Sequence, residues 1–136
     1  MISPRAGVAI TCAAFSIAVI CVALAGCGNH QSSTLTDVGN PQRGKQLLSS
    51  YSCGACHIIP GIRTARGLVG PPLYFYGDRT IIAGQLPNTP ENLIRWIEHP
   101  EKVDPRTAMP DLGVSEQQAA DMTAYLYTLR GHREYR

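Results

Sequence analysis

The sequence predicts a small all-α domain, and three observations carry that reading. Three segments bear helix-opening signals, each is followed by apolar residues at helical spacing, and no segment shows a sustained strand period. The first segment opens at Asn40, a residue suited to an N-cap, with Pro41 at the first helical position and Leu47, Leu48 and Tyr51 on its apolar face. The second opens at Thr89-Pro90, turns Leu93, Ile94 and Ile97 inward and is closed by Pro100. The third begins with the capping-box pattern Ser115-x-x-Gln118, runs through Ala119, Met122, Leu126 and Leu129, and can end at Gly131. Between the first two lies Ile58 to Pro87, rich in Gly and Pro. A loop of that length ordinarily argues against a compact domain, unless it wraps something large.

The N-terminus has a different character. From Gly7 to Gly26 there is no charged residue, and Arg5 precedes this apolar run, as in the n- and h-regions of a secretory signal peptide. Leu24-Ala25-Gly26-Cys27 looks like a bacterial lipobox, which makes Cys27 the expected lipidation site and residues 1–26 the segment removed. An uncleaved transmembrane helix is the alternative, since the run is just long enough to span a bilayer. Residues 27–39 read as lipidated Cys plus flexible tether, being rich in Ser, Thr, Asn and Gln, and residues 40–136 as the folded domain. Either reading places that domain on the outer face of the cytoplasmic membrane, lipid-anchored in the first case.

Charge excludes some partners. The formal net charge of +2 is too small to imply nucleic-acid binding. After residue 26 the chain carries eleven basic and ten acidic residues, so strong electrostatic steering of a partner is not expected.

Five cysteines are present. Cys12 and Cys21 fall in the apolar leader and Cys27 in the lipobox, which leaves Cys53 and Cys56 for the folded domain. Zinc would need a second pair of ligands, and no other Cys-x-x-Cys or His-x-x-x-His exists. A thioredoxin-like pair would need a βαβ context that is missing here. His57 decides the matter, because Cys53-Gly54-Ala55-Cys56-His57 is the attachment signature of c-type haem. Two thiols at that spacing can add across the two vinyl groups, and the next residue offers its imidazole to the iron. The sixth position has candidates in Met109, Met122, His30, His99 and His132. Met109 lies between Pro105 and Pro110, in a stretch that cannot be a regular helix and can aim a thioether at a metal. Met122 has the spacing of helix core, His30 is in the tether, His132 follows the last helix and His99 precedes Pro100 at a helix end. Met109 is therefore the expected distal ligand, and Leu68, Val69, Leu73 and Tyr74 or Tyr76 are expected to pack on the haem.

From about Pro41 to Leu129 this pattern resembles the class I c-type cytochromes, the mitochondrial cytochrome c-like family, in a bacterial lipoprotein form. The resemblance implies the cytochrome c fold, three main helices wrapped with loops around one covalent haem c. It implies that Gly44 and Tyr125 meet where the terminal helices cross. It matches Gly70-Pro71-Pro72-Leu73 to a segment in which the carbonyl at the Pro71 position accepts from the proximal His, a bond that strengthens the imidazole as a donor. It places Trp96 where many members carry an aromatic beside the Met sulfur, and Thr107 where a hydroxyl can reach a haem propionate. Only Lys45 and Lys102 are lysines, so the lysine-rich docking face of the mitochondrial protein is not evident. A closed His–Met iron implies single-electron transfer, with no catalysis and no small-molecule substrate. Redox partners would be a quinol–cytochrome c reductase, a terminal oxidase or another membrane protein. The alternative is a tightly bound haem c subunit of a membrane oxidoreductase, which an exposed apolar patch in the Ile58–Pro87 loop would favour.

Overall fold

The computed structural model describes residues 38–131. The leader, Cys27, His30 and His132 lie outside the described residues. Helix α1 spans Pro41–Ser50, and the Asn40 side chain caps it by accepting from the Arg43 N–H at 2.9 Å. A short hairpin follows the long loop, with β1 at Ile81–Ile82 paired antiparallel to β2 at Leu86–Pro87. Helix α2 covers Pro90–Glu98, capped by Thr89 accepting from the Asn92 N–H at 3.3 Å. Pro100 does end α2, but it also opens a further turn, α3 at Pro100–Val103. Proline suits a first helical position as well as it blocks an interior one. Helix α4 spans Glu116–Tyr127, with Gln118 Oε1 accepting from the Ser115 N–H at 3.0 Å in the expected capping box.

Two local expectations need correction. The last helix stops at Tyr127 rather than running through Leu129 toward Gly131, because Thr128 Oγ1 turns back to the Tyr125 carbonyl at 2.6 Å. Gly131 then sits at φ +63°, with its N–H donating to Asp78 Oδ2 at 2.7 Å. The β1–β2 hairpin was not foreseen in a region without a strand period. Its turn places Ala83 and Gly84 at φ +50° and +71°, the pair of positive angles a tight hairpin needs.

Helices α1 and α4 cross closely. A Cβ on Gly44 would lie 1.9 Å from the Asp121 carbonyl oxygen, so only hydrogen fits there. Tyr125 donates its hydroxyl to the Pro60 carbonyl at 2.6 Å, tying α4 to the long loop. Asp121, 1% exposed, stands at the crossing. It accepts from the Asn40 N–H and from Arg43 Nη2, each at 2.8 Å, and from Arg43 Nε. A buried carboxylate is tolerable only with such partners, and the Arg43 guanidinium, joined by the Asn40 amide, holds its pKa below the ordinary carboxylate value against the opposing effect of burial. Below the crossing, Leu48, Leu93, Ile97, Met122 and Leu126 form one core with Ile59, Leu73, Tyr76 and Ile82 from the loop. Met122 is fully buried there, as its helical spacing predicts.

Candidate haem site

The site begins where α1 ends. Ser52, at φ +56°, reverses the chain into a 3-10 turn at Cys53–Ala55, and the His57 N–H closes it on the Cys53 carbonyl at 3.0 Å. Cys53 and Cys56 are both half-buried free thiols, not joined to each other. Burial pushes the Cys53 pKa up. The following loop folds back on this turn. Gly67 N–H donates to the Gly54 carbonyl at 3.0 Å, Gly70 N–H to the Cys56 carbonyl at 2.8 Å and Leu73 N–H to the Ile58 carbonyl at 2.8 Å.

That fold-back fixes the imidazole. His57 Nδ1 lies 2.8 Å from the Pro71 carbonyl oxygen, and since a carbonyl can only accept, Nδ1 carries the hydrogen. In the neutral ring that leaves the lone pair on Nε2, the form in which an imidazole binds a metal. Gly70 lies flat against the ring, because a Cβ there would come within 2.3 Å of His57 Cε1. Arg79 holds the acceptor segment from behind by donating to the carbonyls of Pro72 and Tyr74, the latter at 3.3 Å. This role went unnoticed in the sequence, where the only signal was a lone cation closing an apolar loop. Asn88 was missed in the same way. Its amide nitrogen donates to the carbonyls of Tyr76 and Arg79 at 3.1 and 2.8 Å, and its oxygen accepts from the Tyr127 hydroxyl at 2.9 Å.

Residues 104–113 carry Met109, the expected distal ligand. Met109 is half-buried, and its N–H donates to Thr107 Oγ1 at 3.1 Å. Asp104 Oδ1 accepts from the Arg106 N–H at 3.0 Å and Asp111 Oδ1 from the Gly113 N–H at 2.9 Å. His99 Nδ1 pairs with Asp111 Oδ2 at 3.2 Å, which ties the end of α2 to this segment. The Gly113 amide, followed by His99, holds the Asp111 pKa below its ordinary value. Trp96 sits half-buried on α2 and packs against the core beside Leu93 and Ile97. Leu73 and Tyr76 are buried among the chain's own residues, whereas Leu68 and Val69, 84% and 77% exposed, are covered by none of them. The bonds at Gly67 and Gly70 clamp the loop on both sides of that pair.

Residues 41–130 match the cytochrome c family. The chain belongs to that family. A cytochrome c2 from Rhodopila globiformis is 36% identical over 107 residues, covering 68% of this chain and 95% of the relative. Cytochrome c oxidase subunit 2 from Alkalihalophilus pseudofirmus is 36% identical over 89 residues, covering 65% of this chain but only 25% of the relative. The corresponding subunit from Bacillus subtilis is 29% identical over 97 residues. This cytochrome c domain therefore spans about a quarter of the length of the oxidase subunits it matches.

Cytochrome c domains bind covalent haem c and transfer electrons, and this one is mostly helical with a single small hairpin among its described residues. The residues present fit the cofactor. Two unpaired thiols flank a turn, an imidazole has its metal-facing nitrogen free, and a glycine leaves that ring uncrowded on one side. Haem supplies a one-electron iron couple when bound. The protein's part is to orient the ligands, exclude water with its apolar loop and hold the imidazole tautomer.

Proposed function

We propose that this cytochrome c domain is a membrane-anchored single-electron carrier, holding haem through Cys53 and Cys56 with His57 and Met109 as axial ligands. The bond from His57 Nδ1 to the Pro71 carbonyl, beside two unpaired thiols, carries the reading. It leaves Nε2 as the only ring nitrogen able to take iron. A thioether on the other face favours the reduced state and raises the potential relative to a second imidazole. Thr107, whose hydroxyl hydrogen is not used in accepting the Met109 N–H, can also reach a propionate, and Trp96 lines the Met109 side. With both faces ligated the iron has no place for a substrate, so the task is transfer rather than catalysis. Absorption spectra of the oxidised and reduced protein, with and without carbon monoxide, test this directly. A low-spin spectrum indifferent to carbon monoxide is expected, and a colourless protein or ready carbon monoxide binding would overturn it.

The anchor is Cys27, lipidated after cleavage at Gly26, which keeps the domain on the outer face of the cytoplasmic membrane or in the periplasm. Confinement there raises its effective concentration near membrane partners such as a quinol–cytochrome c reductase or a terminal oxidase. Cys27→Ser is expected to release the protein with its haem intact, and a mutant still lipidated and membrane-bound would refute the anchor.

A second reading, a haem c subunit bound within a membrane oxidoreductase, draws on the likeness to oxidase subunits and on the exposure of Leu68 and Val69. Extraction in mild detergent separates the two. A free carrier elutes alone, and a subunit co-elutes with a larger complex.

A further inference from the structure

Residues 105–113 have no apolar anchor of their own. Thr107 and Met109 are half-buried, the rest of the stretch is exposed, and the chain returns to the core only at Val114. What moors the stretch is polar, and it stands on two adjacent residues. At one foot the Asp104 N–H donates to the Pro100 carbonyl at 2.9 Å. At the other, Asp111 Oδ2 meets His99 Nδ1 at 3.2 Å. The chain from Asp104 to Asp111 thus leaves and rejoins one corner of the fold, its ends drawn together as in an Ω loop. That corner is firm. The His99 N–H donates to the Arg95 carbonyl at 3.0 Å, the His99 carbonyl accepts from the Lys102 N–H at 3.1 Å, and Pro100 is fully buried. Asp111 does two things at once. Its Oδ1 accepts from the Gly113 N–H at 2.9 Å and shapes the turn in which Gly113 takes φ +67°, while its Oδ2 faces His99. A carboxylate only accepts, so His99 Nδ1 carries the hydrogen whether or not the ring is charged. Among the described residues no other hydrogen bond joins residues 105–113 to a helix or to the hairpin.

We propose that His99 is a positioning residue: through Asp111 it closes the Met109 loop at its base, and so sets how readily Met109 gives up its place on the haem iron to another ligand. The inference rests on the Met109 ligation proposed above. His99 acts through the loop and not on the cofactor. When the Asp111 foot lets go, the loop keeps only the Asp104 foot, and Met109, two residues from the freed end, swings with it. The size of the effect follows from the setting. An ionised acceptor strengthens the bond, but the two side chains are 42% and 44% exposed, so water competes for both. Losing the bond therefore shifts ligand exchange several-fold and leaves the haem attached and the fold intact.

Imidazole titration of the full haem-loaded chain, oxidised and in detergent near neutral pH, tests this. His99→Leu removes the donor and is expected to lower the imidazole concentration at half-saturation about fivefold. His99→Asn, whose amide nitrogen can stand where Nδ1 stands, is expected to restore the wild-type value. Amide hydrogen exchange gives a readout independent of the iron. In His99→Leu, exchange at Met109 and Gly113 is expected to quicken about fivefold while Gly67 and Gly70 keep their wild-type rates. Wild-type imidazole binding together with wild-type exchange in His99→Leu overturns the proposal. So does faster exchange at Gly67 and Gly70 as well, which would make His99 a general support of the fold, and so does a His99→Asn variant that behaves like His99→Leu. Faster exchange confined to Met109 and Gly113 with no change in imidazole binding would leave the latch in place but overturn its link to the iron. A wild-type iron that takes imidazole as readily as Met109→Ala does would strike the Met109 ligation itself.

Discussion

The segments that carry His57 and Met109 are built by different means. On the His57 side, three backbone bonds each join residues at least thirteen positions apart, and the imidazole is fixed by a further bond to Pro71. On the Met109 side, Asp104, Thr107 and Asp111 each brace the chain two residues onward. One exposed pair, His99 with Asp111, reaches from that strap to α2. Bonds that close over short intervals survive when a segment lifts as a unit, whereas long-range bonds must break together. The His57 segment is therefore the more firmly tied half, and the Met109 segment is the half expected to open first.

Breaking the more firmly tied half should have the largest effect. Gly70→Ala places a methyl 2.3 Å from His57 Cε1, and the ring cannot retreat without losing the Pro71 bond. A destabilisation of about 2–3 kcal/mol is expected in denaturant titration, together with a disturbed ligand spectrum. An unchanged midpoint and spectrum would show that the His57 segment is compliant. Met109→Ala strikes the other half. It should leave the haem attached, lower the potential by on the order of 0.1 V and admit carbon monoxide, with little change in unfolding midpoint.

Asp121→Asn asks whether the helix crossing serves both halves alike. Its carboxyl pKa is lowered in the folded state, so its stabilisation is complete above the ordinary carboxylate range and is lost as the pH falls through that lowered value. The variant should be about 1–2 kcal/mol less stable near pH 7, with the gap closing in strong acid and the spectrum unaltered. A gap that persists in acid would mean that shape, not charge, matters at this position. The smallest effect is expected from Thr107→Val, which removes the acceptor for the Met109 N–H. A loss of about 1 kcal/mol should let added imidazole displace the Met109 ligand about fivefold more readily.

Much of this was legible in the sequence because it is local. Asn40-Pro41, Thr89-Pro90 and Ser115-x-x-Gln118 each start a helix at the expected residue, since capping depends on neighbours within one turn. The cysteine spacing likewise marks the covalent site, because two vinyl groups dictate it. What stayed hidden depends on residues far apart in the chain. Asp121 looks like an ordinary surface position on α4 until Arg43 and Asn40 arrive from the other end of the domain. Arg79 and the Asn88 amide nitrogen donate to carbonyls, and backbone acceptors leave no trace in residue identity. The clamping of the loop around Leu68 and Val69 is hidden for the same reason, being set by the amides of Gly67 and Gly70.

The close crossing at Gly44 also has a consequence in time. Its partner strip at Asp121 and Met122 is made 77 positions after Gly44. A polypeptide emerging from its N-terminus presents Cys53 and Cys56 well before α4 exists to lock α1 in place. For that interval the turn that carries the two thiols has no crossing behind it, and closure of α4 onto α1 then anchors it to the finished fold.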